Sequence, residues 1–354
     1  MAGPPATLRD VAAAAKVHPA TASRALNPET RILVSEETAR RVAEAAAALG
    51  YRPNPVARSL RTRRSHTVGV LIPDLNNPLF PPMIRGLEDR LATGGYVALL
   101  GNTDGDTGRE QAIFEQMRAR HVDGFVLATA QAADPVLAEA ASADLPVVLM
   151  NRLDPEHDFS SVSVDNEQGM RMSVAHLAGL GHTRIAHIAG PQRMTTGEGR
   201  RRGYFAGLKA AGLAADDDLI VSAAAFTVEE GTRCCRELLG RGADFTAIAV
   251  ANDMLAVGCY AALDEARLSC PEDLSLVGFN DMPFVDRLRP ALTTIRFPHY
   301  QLGTEAAQLL LERVEGHDAP VKILYMAPEL VARASTAPPP SRKPASSPPD
   351  RAAR

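Results

Sequence analysis

The sequence predicts two α/β lobes, each a doubly wound parallel sheet, preceded by a small all-α head. Three observations lead there. Between residues 66 and 335, near-continuous apolar strands alternate with amphipathic helices, the pattern of parallel sheets covered on both faces. That run is too long for one sheet, and a division near Asp165 gives two lobes. Before residue 52 the apolar residues recur at helical spacing, in three short segments.

With 354 residues, 45% of them hydrophobic and 23% charged, the chain has a globular composition and room for two or three domains. No run of 18 apolar residues offers a membrane span, and residues 1–7 lack the apolar core of a signal peptide. The expected compartment is therefore the cytoplasm. The net charge of −4 conceals an asymmetry. Through His66 there are 11 Lys and Arg against 5 Asp and Glu, a balance of +6 that leaves −10 for the rest. A basic head on an acidic body points to nucleic acid for the head alone.

In the head, residues 6–52, Leu8, Val11, Ala12 and Ala15 form one helical stripe that Thr7 can cap. Lys16, Val17 and His18 interrupt it, and Pro19 opens a second helix with Ala22, Ala25 and Leu26 inward. Two short helices with a three-residue joint make a helix-turn-helix. A third starts at Ser35, carries Glu36 and Glu37 in its first turn, buries Val42, Ala45, Ala46 and Leu49, and stops at Gly50. The outer face of the second helix holds Ala20, Thr21, Ser23, Arg24 and Asn27. Thr21 and Ser23 suit phosphates, and Arg24 can reach a guanine edge with two hydrogen bonds. Pro19 and Ala20 lack side-chain donors and can only meet a thymine methyl or leave room for a neighbour.

Residues 53–65 read as a brief hinge helix and linker. Asn54 is a good N-cap, Pro55 takes the first helical position, and Val56, Ser59 and Leu60 share a face. So few residues do not hold a helix unaided, so the segment is either a plain capped linker or a helix that folds against a partner.

In the body, residues 66–335, strands are expected at 68–72, 96–100, 124–128, 147–150, 185–188, 248–251 and 274–279. Helices are expected near 83–92, 110–118, 169–178, 201–211, 232–239, 254–265 and 302–314. Ligands of such sheets bind outside the carboxyl ends of the strands. Those ends supply Asp74, Asn77 and Phe80, then Asn102 and Asp104, then Asn151 and Arg152. The second lobe adds Asn252, Asp253, Asn280 and Asp281, with Arg200, Arg201 and Arg202 opening a helix. Short amides and carboxylates beside an aromatic ring suit a polyhydroxylated ligand, because each can pair two neighbouring hydroxyls.

Other chemistries find little support. Cys234, Cys235, Cys259 and Cys270 fall in no metal-ligand spacing, and the adjacent pair should contribute one buried and one unremarkable thiol. The glycines at 197, 199 and 203 miss the dinucleotide fingerprint, and Asp104-Gly105-Asp106 lacks further calcium ligands. No nucleophile triad or carboxylate pair stands out, so neither an enzyme nor a cofactor is expected. Residues 336–354 are Pro, Ser, Ala and charge without apolar periodicity, and are expected to be disordered.

The head phrases Leu8-Arg9-Asp10-Val11-Ala12, Ala20 to Asn27, Val34 to Thr38 and Leu49 to Asn54 resemble the signature of the lactose-repressor (LacI/GalR) family. So do the body phrases Ser163 to Asn166, Leu180-Gly181-His182, Ala251-Asn252-Asp253, Val277 to Asp281 and Pro290 to Ile295. Two departures stand in the head and hinge: His18 replaces a usual capping Ser, and Pro55 a common Ala.

The resemblance implies a core like the periplasmic sugar-binding proteins. It makes Thr7, Pro19, Ala20, Thr21, Ser23, Arg24, Asn27, Asn54, Arg58 and Leu60 DNA-binding, with Leu60 as a minor-groove wedge. It makes Arg200 the effector clamp, Asn252 and Asn280 the hydroxyl-binding positions, and Phe80 and Phe226 aromatic walls beside Asp74, Asn77 and Asn151. Asn280 stands where an Asp is common, which disfavours a cationic ligand. The tail has no leucine heptad, so a homodimer is expected. The combined expectation is a transcriptional regulator, a repressor by expectation, on a pseudo-palindromic operator and controlled by a sugar or sugar derivative. The rival is a sugar-binding or sugar-processing protein whose head is a protein-interaction module.

Overall fold

Thr7 starts the chain's first helix with a reciprocal cap: its hydroxyl accepts from Asp10 N, and the Asp10 carboxylate accepts from Thr7 N at 2.8 Å. The computed structural model describes residues 6–27, 30–52, 64–154, 156–316 and 320–340, in two units, 1–66 and 67–354. Asn54, Arg58 and Leu60, and with them the expected hinge helix, lie outside the described residues.

The head has α1 (Leu8–Ala14), α2 (Pro19–Leu26) and α3 (Glu36–Ala48). His18 serves as the N-cap of α2 after all, its Nδ1 accepting from Ala20 N at 3.2 Å. Val11, Ala12, Ala22, Ala25, Ala39, Val42 and Ala46 form a core of small side chains. Leu49 is not part of it and is exposed. Gly50 turns left-handed at φ +62°, its N–H and that of Tyr51 bond to Ala47 and Ala46, and Tyr51 folds back onto the core in its place.

The body contains two six-stranded sheets. The first has the order β11-β5-β4-β3-β1-β2, built from β1 (Thr67–Ile72), β2 (Val97–Asn102), β3 (Gly124–Leu127), β4 (Val147–Met150), β5 (Ser160–Val164) and β11 (Ile323–Met326), all parallel. The second has the order β12-β10-β9-β8-β6-β7, built from β6 (Ile185–Ala189), β7 (Ile220–Ser222), β8 (Ala247–Val250), β9 (Ser275–Asn280), β10 (Thr293–Arg296) and β12 (Glu329–Val331). Here β12 runs antiparallel to β10, an exception to the expected parallel pairing. Helices α4 (Phe80–Thr93), α5 (Thr107–Ala119) and α6 (Pro135–Ser142) connect the first sheet. Helix α7 (Asn166–Gly179) leads from β5 to β6, and α8 (Thr195–Ala210), α9 (Val228–Gly240) and α10 (Asp253–Glu265) connect the second sheet.

The boundary near Asp165 is only one of three. After β10 the chain returns to the first lobe, where α11 (His299–Val314) packs on α4 and β11 pairs with β5; it then crosses again to β12. An open sheet gains by covering its edge, and the last segment covers an edge of each sheet. The order of strands reverses between β1 and β3 and between β6 and β8, which places a crevice at the carboxyl ends of both sheets.

Two further expectations change. Cys234 and Cys235 are both buried, because α9 is covered on two sides, by its sheet and by α10. Thr336 and Ala337, expected in the tail, are tied to the body by His176 and His182 at 2.9 Å each. Residues 341–354 lie outside the described residues.

Candidate functional site

The crevice between the carboxyl ends is a cavity of about 340 Å³. Asp74, Asn77 and Phe80 reach it from the stretch after β1, and Asn151 from the end of β4. From the other lobe come Arg200 on α8, Phe226 before α9, Asn252 after β8 and Asn280 at the end of β9. All eight predicted effector residues therefore line one space. Asn151 and Asn280 hold positive φ, +57° and +118°, in backbone regions that L residues seldom occupy without a supporting structure.

Arg200 is the most connected group. It is buried, donating from Nε to Asn166 Oδ1 (2.8 Å), from Nη1 to the Ala251 carbonyl (2.6 Å) and from Nη2 to Asn280 Oδ1 (3.3 Å). Its guanidinium lies 3.8 Å above the Phe279 ring and 5.8 Å from Phe226. Both rings sit over glycines: a Cβ at Gly169 would meet Phe279 at 2.6 Å, and one at Gly190 would meet Phe226 at 2.5 Å. Burial and the neighbouring Arg152 push the Arg200 guanidinium down to about 9, against the pull of Asp253. Three of its five donors are engaged by the protein, which leaves two for a ligand.

The predicted start of α8 at Arg201 is six residues late. Helix formation begins at Thr195 despite Gly197 and Gly199, because a Cβ at Gly197 would strike the Pro191 carbonyl at 2.2 Å. Glycine permits that close packing. Only Arg200 of the three arginines lines the cavity; Arg202 pairs with Glu198 and Glu167, and Arg201 lies over Phe205 at 5.4 Å.

Of the paired Asx motifs, the asparagines face the cavity and the aspartates hold the frame. Asp253 is fully buried, accepts from Thr294 Oγ1 (2.6 Å) and Met282 N (2.9 Å), and is pushed up to about 7 by burial. Asp281 binds Arg296 and Arg333. Asn102 is absent from the lining, its Oδ1 accepting from Leu75 N, whereas Asp104 lines the cavity.

Thr196 and Phe279 were not among the predicted site residues, and Arg152 was named only as a strand-end candidate. Arg152 is buried and lines the cavity, donating to its neighbour's carbonyl, Asn151 O, at 2.7 Å. Burial pushes it down to about 10, partly offset by Glu110. Its place after a strand was a signal; the ring under Arg200 had none, since an apolar residue ending a strand reads simply as core.

On the head, Ala20 and Arg24 are exposed and Pro19, Thr21, Ser23 and Asn27 half-buried, all on or next to α2. Thr7 is exposed at the start of α1. Among the described residues no His, Cys, Asp or Glu cluster could hold a metal ion, and no helix is long and apolar enough to cross a membrane.

Comparison with known proteins matches residues 7–54 to bacterial regulatory proteins of the lacI family and residues 174–336 to a periplasmic binding protein-like domain. The transcriptional repressor CytR of Escherichia coli is 34% identical over 332 residues, 94% of this chain and 96% of that protein. The regulator CelR in complex with cellobiose shares 31% identity at a TM-score of 0.72, covering 93% of this chain and 99% of that one. The lac repressor dimer bound to operator and the anti-inducer ONPF has a TM-score of 0.82 and 26% identity, over 94% of this chain and 100% of that one.

Proposed function

The chain belongs to the lacI family of bacterial regulatory proteins, and on that premise we propose how its head and cavity perform ligand-controlled transcription. It is a ligand-responsive DNA-binding regulator, a cytoplasmic repressor acting as a homodimer on a pseudo-palindromic operator. The observation that carries it is the end-to-end match: one chain aligns with CytR across the helix-turn-helix and across both lobes.

In the proposed mode, α2 lies in the major groove. Thr7, Thr21, Ser23 and Asn27 hold phosphates, and Arg24 reads a base edge, with Pro19 and Ala20 against thymine methyls. Asn54 would cap a hinge helix that places Arg58 near phosphates and Leu60 in the minor groove, where an apolar wedge unstacks one step. The effector is a sugar or sugar derivative. Asp74, Asn77 and Asn151 hold it from one lobe, Arg200, Asn252 and Asn280 from the other, between Phe80 and Phe226. The cellobiose held by CelR supports that class of ligand. No residue is assigned a catalytic role.

A gel shift with the promoter beside its own gene tests this, repeated with a panel of sugars. Salt-sensitive, sequence-dependent binding that a sugar changes is expected. Binding indifferent to sequence would remove the regulator reading and leave a sugar-binding protein with an interaction module.

A further inference from the structure

The cavity holds an excess of buried positive charge. Arg152 and Arg200 both line it, are 3% and 2% exposed, and form no ion pair among the described residues. Three buried polar atoms beside them have no hydrogen-bond partner there: Arg152 Nε, Asn151 Oδ1 and Thr196 Oγ1. A buried polar atom without a partner is costly, and each of these belongs to a residue of the cavity wall; Arg152 Nε and Thr196 Oγ1 can donate to an anion, whereas Asn151 Oδ1 only accepts.

Thr196 stands in the first turn of α8, a helix of 16 residues whose N-cap, Met194, supplies no side-chain hydrogen bond. The first N–H groups of a helix have no partner within it, and its dipole favours an anion there. Met194 also lines the cavity, and Arg152 Nη2 lies 3.8 Å from its sulfur, so the guanidinium is beside the helix start.

The carboxylates nearby do not fill this place. Asp104 is paired with Arg109 at 2.6 Å, and Asp74 accepts from Asn76 N at 2.8 Å. Glu110, whose charge acts on Arg152, and Asp253, whose charge acts on Arg200, are both pushed up to about 7 by burial, so near neutral pH they balance only part of the arginine charge.

We propose that Arg152, Thr196 and Arg200, with the uncapped start of α8, form an oxyanion subsite, so that the effector is an acidic sugar derivative carrying a phosphate or a carboxylate. This rests on the reading of the cavity as the effector site. The phosphate or acid group occupies the α8 end, and Asn77, Asn252 and Asn280 take the hydroxyls.

Calorimetric titration of the full chain with glucose, glucose 6-phosphate, glucuronate, ribose and ribose 5-phosphate tests it. At least one acidic member should bind thirtyfold or more tighter than its neutral parent, and more weakly as salt is raised. Preference for the two phosphates or for glucuronate identifies the group. Arg152→Gln should reduce the ratio below threefold, and Arg152→Lys should retain part of it. Should Arg152→Gln fail to fold, the wild-type ratio decides alone. A neutral parent that binds as tightly as its acidic forms overturns the anion subsite and leaves the sugar site intact. No heat with any of the five overturns both.

Discussion

Replacing Arg200 by lysine keeps the charge and removes the fork, and so separates two reasons for having a cation in the cavity. The guanidinium reaches oxygens on three elements: Asn166 at the start of α7, Ala251 after β8 and Asn280 ending β9. One ammonium nitrogen does not span all three. At least one buried oxygen is left unsatisfied, at a cost of about 1–3 kcal/mol in stability. The ligand also loses one or two charge-assisted bonds of about 1.5–3 kcal/mol, which corresponds to roughly tenfold to a hundredfold or more in affinity. Urea unfolding followed by far-ultraviolet circular dichroism, which suits a chain without tryptophan, reads the first effect. Titration with any sugar that binds the wild type reads the second. Unchanged unfolding and unchanged affinity would refute the argument and show that only the charge matters.

His187 stacks on Tyr204 at 4.6 Å, donates from Nδ1 to the Ala249 carbonyl and is pushed down to about 4 by burial. Its contribution is complete above an unfolded value near 6.5 and is lost as pH falls toward 4, about 3 kcal/mol in all. The stability gap between wild type and His187→Gln in urea should therefore narrow by about 2–3 kcal/mol between pH 7.5 and 4.5, and a constant gap would disprove it. Glu110 and Asp253, both raised to about 7, act in the opposite direction and are common to both proteins. Leu60→Ala should weaken operator binding by about 1 kcal/mol or more while effector affinity in the titration stays unchanged. Arg24→Ala should cost about 1–3 kcal/mol on one operator sequence and relax preference at a single base pair, read by gel shifts on substituted operators.

The central strands were legible because a strand covered on both faces is apolar throughout, as 124–127 and 147–150 are. Ser160–Val164 escaped that test: it is serine at three of five positions, yet wholly buried. Two of its hydroxyls are satisfied inside the protein, Ser161 Oγ donating to the nearby Phe159 carbonyl and Ser160 Oγ accepting from Lys322 N beside β11, so polarity did not bring exposure. The return of β11 to the first sheet has no local signal at all, since Ile323 and Tyr325 are exposed and the partner strand is some 160 residues away. At the site, the asparagines were legible from the rule that ligands meet strand ends. Which member of the Asn252-Asp253 pair faces the cavity was not, because that depends on Met282 in the loop after β9 and Thr294 on β10 arriving to claim Asp253.

The three crossings also say what the cavity can control. Two of them are joined, Asp165 N to the Met326 carbonyl at 3.2 Å, which fixes a pivot for the lobes. Elsewhere the lobes touch through separable bonds: Ala132 N to the Arg193 carbonyl at 2.9 Å and Leu153 N to Thr195 Oγ1 at 3.1 Å. A ligand that bonds both walls favours the arrangement in which both are within reach, and shifts the balance only by that difference in affinity. Moving a two-state equilibrium from 1:99 to 99:1 takes about 5.5 kcal/mol. At about 1.5–3 kcal/mol each, two to four charge-assisted hydrogen bonds made in one arrangement alone supply it. Arg200 has two donors to spare and Arg152 has an unpartnered Nε, one from each lobe, so the donors needed are already placed on opposite sides of the pivot.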